Sequence, residues 1–279
     1  MFFGRECYRC PEILGQMLGK IKVQTKASPL WWRPFIKAYI YLFGLPDVSY
    51  QLRASYFRKI IRQFRFKRIM DAGCGIGLYS FYLGKKYPRA MIDACDSNID
   101  YIDAGNRLLS QLKLSNVKMF QANLSQLSEV NRYDLVISID TLEHITDDGQ
   151  VLTNFYRALK DGGILYINTP HRRHGKRYLR SLRYEGKDHV RAGYTEQELT
   201  KLLQDSGFKV NTVRKVWGFW GEWCEELYWL TILRLPLPFA GLLFPLLSVI
   251  SLLDTVARNS KGYGLLVITQ KERSRAGSQ

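Results

Sequence analysis

A glycine-rich segment, DAGCGIG from Asp71 to Gly77, carries the clearest chemical signal in the sequence. Glycines let a backbone turn tightly and approach a ligand closely. Asp71 comes two residues before Gly73, where its negative charge would attract a ligand that carries an ammonium group. Asp96, 23 residues after Gly73, is placed to accept hydrogen bonds from both hydroxyls of a ribose. The amide of Asn123 can pair with the edge of an adenine.

A nicotinamide-dinucleotide loop is the alternative interpretation of this segment. Such loops usually follow the pattern G-x-G-x-x-G, whereas Gly73, Gly75 and Gly77 are spaced as G-x-G-x-G. A pyrophosphate would also gain nothing from the negative charge of Asp71. The spacing and the charge therefore favour a cationic nucleoside ligand.

These residues need a scaffold whose short strands end at one edge of a sheet. Residues 66–170 alternate short apolar runs with helical patterns, as parallel strands covered on both faces do. The predicted strands are 68–72, 90–96, 117–122, 133–140 and 163–168, with helices over 98–113 and 147–160. The Asp-Gly-Gly of 161–163 is expected to close one helix and open the next strand.

The second half of the chain adds two strands and an apolar insertion. Thr195 and Glu198 form a capping-box pattern at the start of a helix that Gly207 ends. Strands are predicted over 208–217 and 262–272, and residues 218–260 between them are mostly apolar. The pattern predicts an α/β fold with a doubly wound, seven-stranded and mostly parallel sheet.

The chain resembles the class I S-adenosylmethionine methyltransferases over about residues 50–215, with the last strand at 262–270. The run DTLEHI from Asp140 is especially similar to the ubiquinone-biosynthesis O-methyltransferase group. The resemblance implies a Rossmann-like methyltransferase fold and S-adenosyl-L-methionine as cofactor. It implies these cofactor-binding residues: Arg53, Asp71, Gly73, Gly75, Gly77, Asp96, Asn123, Leu124, Ile139 and Asp140. Many family members carry an acid where this chain has Asn123.

Methyl transfer from a sulfonium is an in-line displacement, so the protein mainly aligns the nucleophile, the methyl carbon and the sulfur. An oxygen nucleophile must also lose its proton, to a base or with the help of a metal. We take His144, His171 and His189, in no fixed order, as candidate bases, and Glu143 as a further catalytic candidate. No metal ligands are assigned, although the resemblance suggests that Glu143 and His144 can alternatively hold a divalent metal.

Composition points to a negatively charged partner, because Lys and Arg total 41 against 25 acids, a formal charge of +16. Residues 48–70 contain seven basic residues and no acid, and residues 171–191 contain eight against two acids. The lone C-x-x-C of Cys7 and Cys10 lacks the two further ligands of a zinc site. The N-terminus lacks the pattern of a cleaved signal peptide.

The apolar segments favour a membrane surface over nucleic acid. Residues 235–253 carry no charge, but prolines interrupt them, and a single crossing would separate two strands of one sheet. The aromatic stretch 28–46 and five of the six tryptophans lie outside the predicted strands, and Trp217 is the last residue of the strand predicted over 208–217. Indoles prefer the headgroup level of a bilayer. The tryptophans are Trp31, Trp32, Trp217, Trp220, Trp223 and Trp229.

The sequence thus predicts an N-terminal helical arm (1–49), a methyltransferase domain (50–217), a membrane-associated insertion (218–260), a last strand (261–272) and a basic tail (273–279). The expected activity is O-methylation of a lipid-like acceptor, a prenylated quinol or a lipid-linked sugar. The protein would be cytoplasmic and peripheral, bound to the inner face of an anionic membrane, with no nucleic-acid partner. A soluble sugar or secondary metabolite is the alternative acceptor, and a non-catalytic membrane-associated binding protein is a further alternative.

Overall fold

The computed structural model describes residues 33–172, 189–210, 213–234 and 237–273. They form two compact units. The sheet unit contains 65–172, 189–210, 213–216 and 262–273, and the helical unit contains 33–64, 217–234 and 237–261. Several predicted features lie outside the described residues: Trp31, Trp32, Cys7, Cys10, most of the basic run 171–191, and the tail from 274.

The sheet has seven strands in the order β3-β2-β1-β4-β5-β7-β6, which confirms the predicted fold class. Strands β1 to β5 are parallel, whereas β7 runs antiparallel to both β5 and β6. The strands are β1 (Arg68–Ala72), β2 (Met91–Asp96), β3 (Val117–Gln121), β4 (Tyr133–Ile139), β5 (Leu159–Pro170), β6 (Val213–Val216) and β7 (Gly264–Gln270).

Helices connect the parallel strands and also build the second unit. In chain order they are α1 (Arg33–Phe43), α2 (Val48–Ile61), α3 (Leu78–Lys86), α4 (Ile99–Leu112), α5 (Asp148–Ala158), α6 (Glu196–Asp205), α7 (Phe219–Arg234) and α8 (Leu237–Ser251). The predicted capping box opens α6, where Thr195 Oγ1 accepts from the Glu198 backbone N–H and Glu198 Oε2 accepts from the Thr195 backbone N–H. Helices α3 to α6 belong to the sheet unit.

The central strands are apolar because both of their faces are buried. Met70 of β1, Val136 of β4 and Leu165 of β5 are fully buried and belong to one core cluster with Phe155 of α5 and Leu199 of α6. Chain order proceeds outward from β1 on one side and from β4 on the other, so the sheet has a switch point between these two strands. Ligands of open α/β sheets bind at such a point, outside the carboxyl ends of the strands.

The predicted bounds of α5, β5 and β6 differ from those in the structure. Helix α5 ends at Ala158 rather than at residue 160, and β5 begins at Leu159 rather than at 163. Tyr133 pairs with Leu159, whereas Leu135 pairs with Ile164, so the Asp-Gly-Gly run forms an irregularity within β5. Gly162 makes this possible with a φ of 76°. Strand β6 is also shorter than predicted, covering only 213–216.

The helical unit contains α1, α2, α7 and α8. Its core cluster joins Val48 of α2, Cys224 and Tyr228 of α7, and Phe244 and Leu247 of α8. Helix α2 belongs to this unit, although the sequence analysis begins the methyltransferase domain at residue 50. Among the described residues, no helix has both the length and the hydropathy of a membrane span.

A tyrosine from α1 compensates for a proline inside α8. Pro245 has no N–H and cannot donate to the carbonyl of Gly241, four residues earlier. The hydroxyl of Tyr39 donates to this carbonyl over 2.6 Å. Burial raises the pKa of Tyr39 well above its ordinary value, so the hydroxyl remains a donor at physiological pH. The contact therefore supplies the hydrogen bond that the helix loses at its proline.

We expect Tyr39→Phe to lower the free energy of unfolding by about 1 kcal/mol, because it leaves the Gly241 carbonyl without this donor. In a Pro245→Ala background the helix supplies its own N–H to that carbonyl, so Tyr39→Phe should cost clearly less there. Urea unfolding of the two single variants and the double variant measures the coupling. Strictly additive effects would contradict the compensation.

Candidate functional site

The glycine loop between β1 and α3 needs glycine at positions where other residues are strained or excluded. Gly73, Gly75 and Gly77 have φ values of 79°, 53° and 87°. A Cβ atom on Gly73 would lie 2.2 Å from the side chain of Thr141. A Cβ on Gly75 would have no heavy atom within 4 Å among the described residues. The loop therefore combines close packing at Gly73 with open space at Gly75.

Strand β2 holds the loop through its last two residues. The carbonyl of Cys95 accepts from the backbone N–H groups of Gly73 and Cys74, at 2.8 and 2.9 Å. The carboxylate of Asp96 accepts from the N–H of Gly75 through Oδ2 at 2.8 Å and from the N–H of Asn98 through Oδ1 at 2.9 Å. A carboxylate oxygen can accept more than one hydrogen bond, so Asp96 is fixed in orientation and retains acceptor capacity.

Asp71 lies in β1, just before the glycine loop, and is almost completely buried, with 3% of its surface exposed. Ser80 of α3 donates to its Oδ2 at 2.6 Å. Burial raises the pKa of Asp71 to about 7; the nearby charge of Asp96 adds to this, while the Ser80 hydrogen bond opposes it. A buried carboxylate of this kind is stabilised in its charged form when a cation arrives.

The remaining residues assigned to the cofactor in the sheet unit occupy the ends of β3 and β4. Asn123 is exposed, and its Oδ1 accepts from the N–H of Ser125, which leaves its amide N–H groups as the donors for a ligand. The side chain of Leu124 is buried in the core cluster. Ile139 is the last residue of β4 and is half-buried. Asp140 follows with a left-handed φ of 50° and donates its N–H to the carbonyl of Asn168.

Arg53 lies on α2 of the helical unit. Its guanidinium carbon is 4.9 Å from the ring centroid of Trp217 and 5.8 Å from that of Tyr50. Stacking on these rings restricts the orientation of the guanidinium. The role of Arg53 at the cofactor stays a prediction.

Three catalytic candidates come together at the end of β4. Glu143 and His144 lie in the short helical turn Leu142–His144, and His189 comes from a later segment. One carboxylate oxygen of Glu143 and one ring nitrogen from each histidine lie within 4.8 Å of one another. The two imidazole rings meet edge to face, with centroids 4.5 Å apart. Glu143 is buried, His189 is half-buried and His144 is exposed.

His171, the other candidate base, lies just after β5. Its Nδ1 is 2.8 Å from the carbonyl oxygen of Gly262, and a carbonyl can only accept, so Nδ1 carries the proton. In the neutral ring, Nε2 then has the free lone pair that a general base needs. His171 is half-buried and makes a bridge pair with Tyr194.

Two residues that shape the site were not predicted from the sequence. Thr141 packs against Gly73 and donates to the carbonyls of Ala72 and Ile139, at 3.3 and 3.2 Å, and thereby joins the loops after β1 and β4. Ser80 sets the position of the Asp71 carboxylate. The sequence contains a signal for Ser80, because this small polar residue lies between Tyr79 and Phe81 in a helix that follows the glycine loop.

Comparison with known proteins agrees with this geometry. The family described as "Methyltransferase domain" matches residues 48–213, more than half of the chain. The ubiquinone biosynthesis O-methyltransferase of Rickettsia akari is 29% identical over 155 residues, which cover 53% of this chain and 57% of that protein. The chain spans between 28% and 64% of the length of the first curated relatives that it matches.

Solved structures share the fold at low sequence identity. The phosphoethanolamine N-methyltransferase 2 of Haemonchus contortus, in complex with S-adenosyl-L-methionine, superposes with a TM-score of 0.60 at 17% identity, covering 91% of this chain and 60% of that one. The [4+2]-cyclase SpnF superposes with a TM-score of 0.58 at 16% identity, covering 81% and 84%. At this identity the likeness shows the fold alone.

The match of the family over more than half of the chain agrees with the assignment made from the glycine loop and its flanking carboxylates. Membership also supports S-adenosylmethionine as the cofactor predicted from the sequence. The chain therefore belongs to the methyltransferase domain family.

Proposed function

We propose that this protein transfers the methyl group of S-adenosylmethionine to an oxygen atom of a membrane-embedded, lipid-like acceptor, such as a prenylated quinol or a lipid-linked sugar. Family membership supports the methyl transfer, and relatives named ubiquinone biosynthesis O-methyltransferase support an oxygen acceptor on a prenylated ring. The observation that carries the lipid acceptor is an exposed apolar stripe on the helical unit. The protein would work on the cytoplasmic face of an anionic membrane.

The cofactor site supplies charge and orientation rather than bond-making groups. Asp71 and Asp96 would favour the cationic methionine part and the ribose, and the glycine loop would let the backbone approach the nucleoside. Transfer is then an in-line displacement, in which alignment of oxygen, methyl carbon and sulfur provides most of the rate enhancement. Bound S-adenosylmethionine would supply the electrophilic methyl group, and a base of the chain would accept the proton of the acceptor oxygen.

His171 is the base that the geometry favours. The hydrogen bond from Nδ1 to Gly262 fixes the tautomer and leaves Nε2 to take a proton. The other two candidates, His144 and His189, instead each have a ring nitrogen within 4.8 Å of the other histidine and of a Glu143 carboxylate oxygen. His171 also follows β5 at its carboxyl end, where substrates bind in sheets of this type.

The apolar stripe runs along α8 and into the turn that follows it. It consists of residues at alternating spacings of four and three, which places them on one side of the helix. Their exposed fractions are 76% for Leu242, 55% for Leu246, 55% for Val249, 46% for Leu253 and 73% for Val256. Apolar side chains of this kind along one helix face are typical of a surface that enters the headgroup region of a bilayer.

Charge around the end of the stripe suits an anionic lipid surface. Lys59 is exposed and donates to the carbonyl of Thr255, beside Val256. Arg258 and Lys261 are exposed as well, whereas Asp254 is fully buried. Each cation near an anionic leaflet contributes about 1 kcal/mol to binding.

A soluble acceptor is the second candidate, favoured by the lack of a membrane-spanning helix in the described part of the chain. Cyclisation is a third candidate activity, since the [4+2]-cyclase SpnF has a similar fold. Incubation with S-adenosylmethionine labelled in its methyl group, followed by extraction of membranes, tests all three. We expect the label in the lipid fraction. Label confined to water-soluble products would refute the lipid acceptor, and no transferred label with either fraction would refute the methyltransferase activity.

The pKa of Asp71 makes cofactor affinity dependent on pH. Free protein binds a proton at Asp71 below pH 7, whereas a cationic ligand favours the charged carboxylate. Binding must then release this proton, so affinity should fall toward tenfold per pH unit as the pH drops below about 7. In Asp71→Asn this dependence should be absent, and affinity at pH 8 should be at least tenfold weaker. Calorimetric titration with S-adenosylmethionine between pH 6 and 8 measures both.

The amino group of the ligand also titrates near pH 8, but it does so with both proteins. The difference between wild type and Asp71→Asn therefore isolates the carboxylate. Equal affinities at pH 8, or parallel pH profiles, would show that Asp71 does not face the cation.

If the apolar stripe binds membranes, the protein should bind lipid vesicles, and two charged substitutions in the stripe should prevent this binding. In flotation with vesicles of phosphatidylglycerol and phosphatidylcholine, wild-type protein should rise with the lipid. Leu246→Asp/Val249→Asp should reduce the bound fraction at least tenfold, because two carboxylates would have to enter the interface. Val130→Asp is the matched control, since Val130 is 56% exposed on the sheet unit and Val249 is 55% exposed on the stripe. Wild-type protein that stays at the bottom, or a double variant that floats equally well, would contradict the docking surface.

A further inference from the structure

The side chain of Asn168 on β5 is a buried amide without a hydrogen-bond partner among the described residues. Asn168 is 2% exposed, and neither its Oδ1 nor its Nδ2 is paired there. Asn154 of α5 is equally buried, but its amide is paired at both atoms. Its Nδ2 donates to the carbonyls of Leu124 and Ser125, both at 3.0 Å, and its Oδ1 accepts from Gln150 at 2.9 Å. A buried amide that forms no hydrogen bond destabilises a folded protein, so the amide of Asn168 points to a partner from outside the chain.

Strand register places Asn168 on the same face of the sheet as Asp71. Asp71 pairs with Ile137 of β4, and Ile139, two residues further along β4, pairs with Asn168. Register partners on neighbouring strands project from the same face, and so do residues two apart in one strand. The opposite face carries Ile167, which belongs to the core cluster with α5 and α6. Asn168 therefore faces away from that core, on the side of the sheet on which Asp71 lies.

Asn168 lies next to the residues assigned to the cofactor, at the carboxyl end of β5. Those residues of the sheet unit lie at the ends of β1, β2, β3 and β4, and the backbone N–H of Asp140 donates to the carbonyl of Asn168 at 2.8 Å. Strand β4 lies between β1 and β5, so Asn168 is two strand spacings, roughly 10 Å, from Asp71 across the sheet. The amide is thus beside the predicted cofactor site rather than within it, at the edge of the sheet where ligands bind.

The chemistry of the amide defines the group that it can hold. An amide has two N–H donors on Nδ2 and an acceptor oxygen in Oδ1, so it pairs fully only with a partner that both accepts and donates. A hydroxyl that passes its proton to a base can still accept from Nδ2 through its oxygen. Oδ1 then requires a second donor, a hydroxyl or an N–H, close to the reacting oxygen. Hydrocarbon pairs with neither atom, so the apolar part of a lipid-like acceptor does not fit this position.

We propose that Asn168 is an acceptor-binding residue, which selects acceptors that carry a hydrogen-bond donor beside the hydroxyl that is methylated. This inference rests on the proposed methyl transfer to oxygen. Nδ2 orients the reacting oxygen by donating to it, and Oδ1 binds the neighbouring donor. The destabilisation caused by the buried amide is then relieved when the acceptor binds.

Replacement by leucine, which has the same branching and the same number of side-chain heavy atoms as asparagine, tests this role first through stability. Urea unfolding without cofactor or acceptor measures it. We expect Asn168→Leu to have a higher urea midpoint than wild type, because it removes a buried amide that lacks partners in the described part of the chain. The matched variant Asn154→Leu should have a lower midpoint, because it removes paired atoms from an equally buried position.

Methyl transfer to a membrane lipid extract, with S-adenosylmethionine labelled in its methyl group, is the second measurement. At limiting extract, transfer by Asn168→Leu should be about tenfold slower than by wild type, because the variant loses hydrogen bonds to the acceptor. The difference should narrow as more extract is added, since acceptor binding is what the variant weakens. Affinity for S-adenosylmethionine, measured by calorimetry, should be unchanged.

Two kinds of result would overturn the role of Asn168. An Asn168→Leu protein that fails to fold, or whose urea midpoint falls as that of Asn154→Leu does, would show that the amide is paired within the protein. Equal transfer by wild type and a stable Asn168→Leu protein would show that the amide does not bind the acceptor. Lack of transfer by wild type would instead refute the proposed function, on which acceptor binding rests. The stability comparison involves no methyl transfer, so the two failures are distinguishable.

Discussion

The close approach of backbone segments at the carboxyl ends of β1, β2 and β4 is the constraint on which the site depends. Gly73 must have no side chain, because Thr141 occupies the space where a Cβ would lie. The Gly75 N–H must point at Asp96, because that contact fixes both the loop and the carboxylate. Parallel pairing of β1 with β2 and β4 brings these three segments to one edge. Changes in strand register there would displace Asp71 and Asp96 together.

The apolar insertion is constrained by the strands at its two ends. Val213 of β6 pairs with Val267 of β7, so the chain leaves the sheet and returns to the neighbouring strand. A segment that crossed a bilayer once could not satisfy this pairing, whatever its hydropathy. Helices α7 and α8 lie between these two strands in the chain. Helix α8 contains Pro245 and has one exposed apolar face, so this arrangement fits both the strand pairing and the apolar composition. The same constraint is compatible with the proposed binding at a membrane surface.

Strand positions could be predicted from the sequence because buried parallel strands are short, apolar and separated by helices. All seven strands were predicted, and the ends of five of them were nearly correct. Strand β5 was predicted too short, since Gly162 permits an irregular strand where glycines usually indicate a turn. Asp71, Asp96 and the glycines followed from local spacing. The meeting of His189 with Glu143 did not, because it depends on backbone pairing between distant loops. Thr141 was also missed, because its importance lies in its contact with Gly73, which is distant along the chain.

Ligand selectivity of the purified protein is the most direct test of the central claim, that the pocket formed by the glycine loop, Asp71 and Asp96 binds a positively charged sulfur nucleoside. Titration calorimetry with S-adenosylmethionine and with nicotinamide adenine dinucleotide, under the same conditions, measures it. The structure predicts saturable binding of S-adenosylmethionine, weakened at least tenfold in Asp96→Ala, and no binding of the dinucleotide. Binding of the dinucleotide in preference to S-adenosylmethionine would contradict the account of this site.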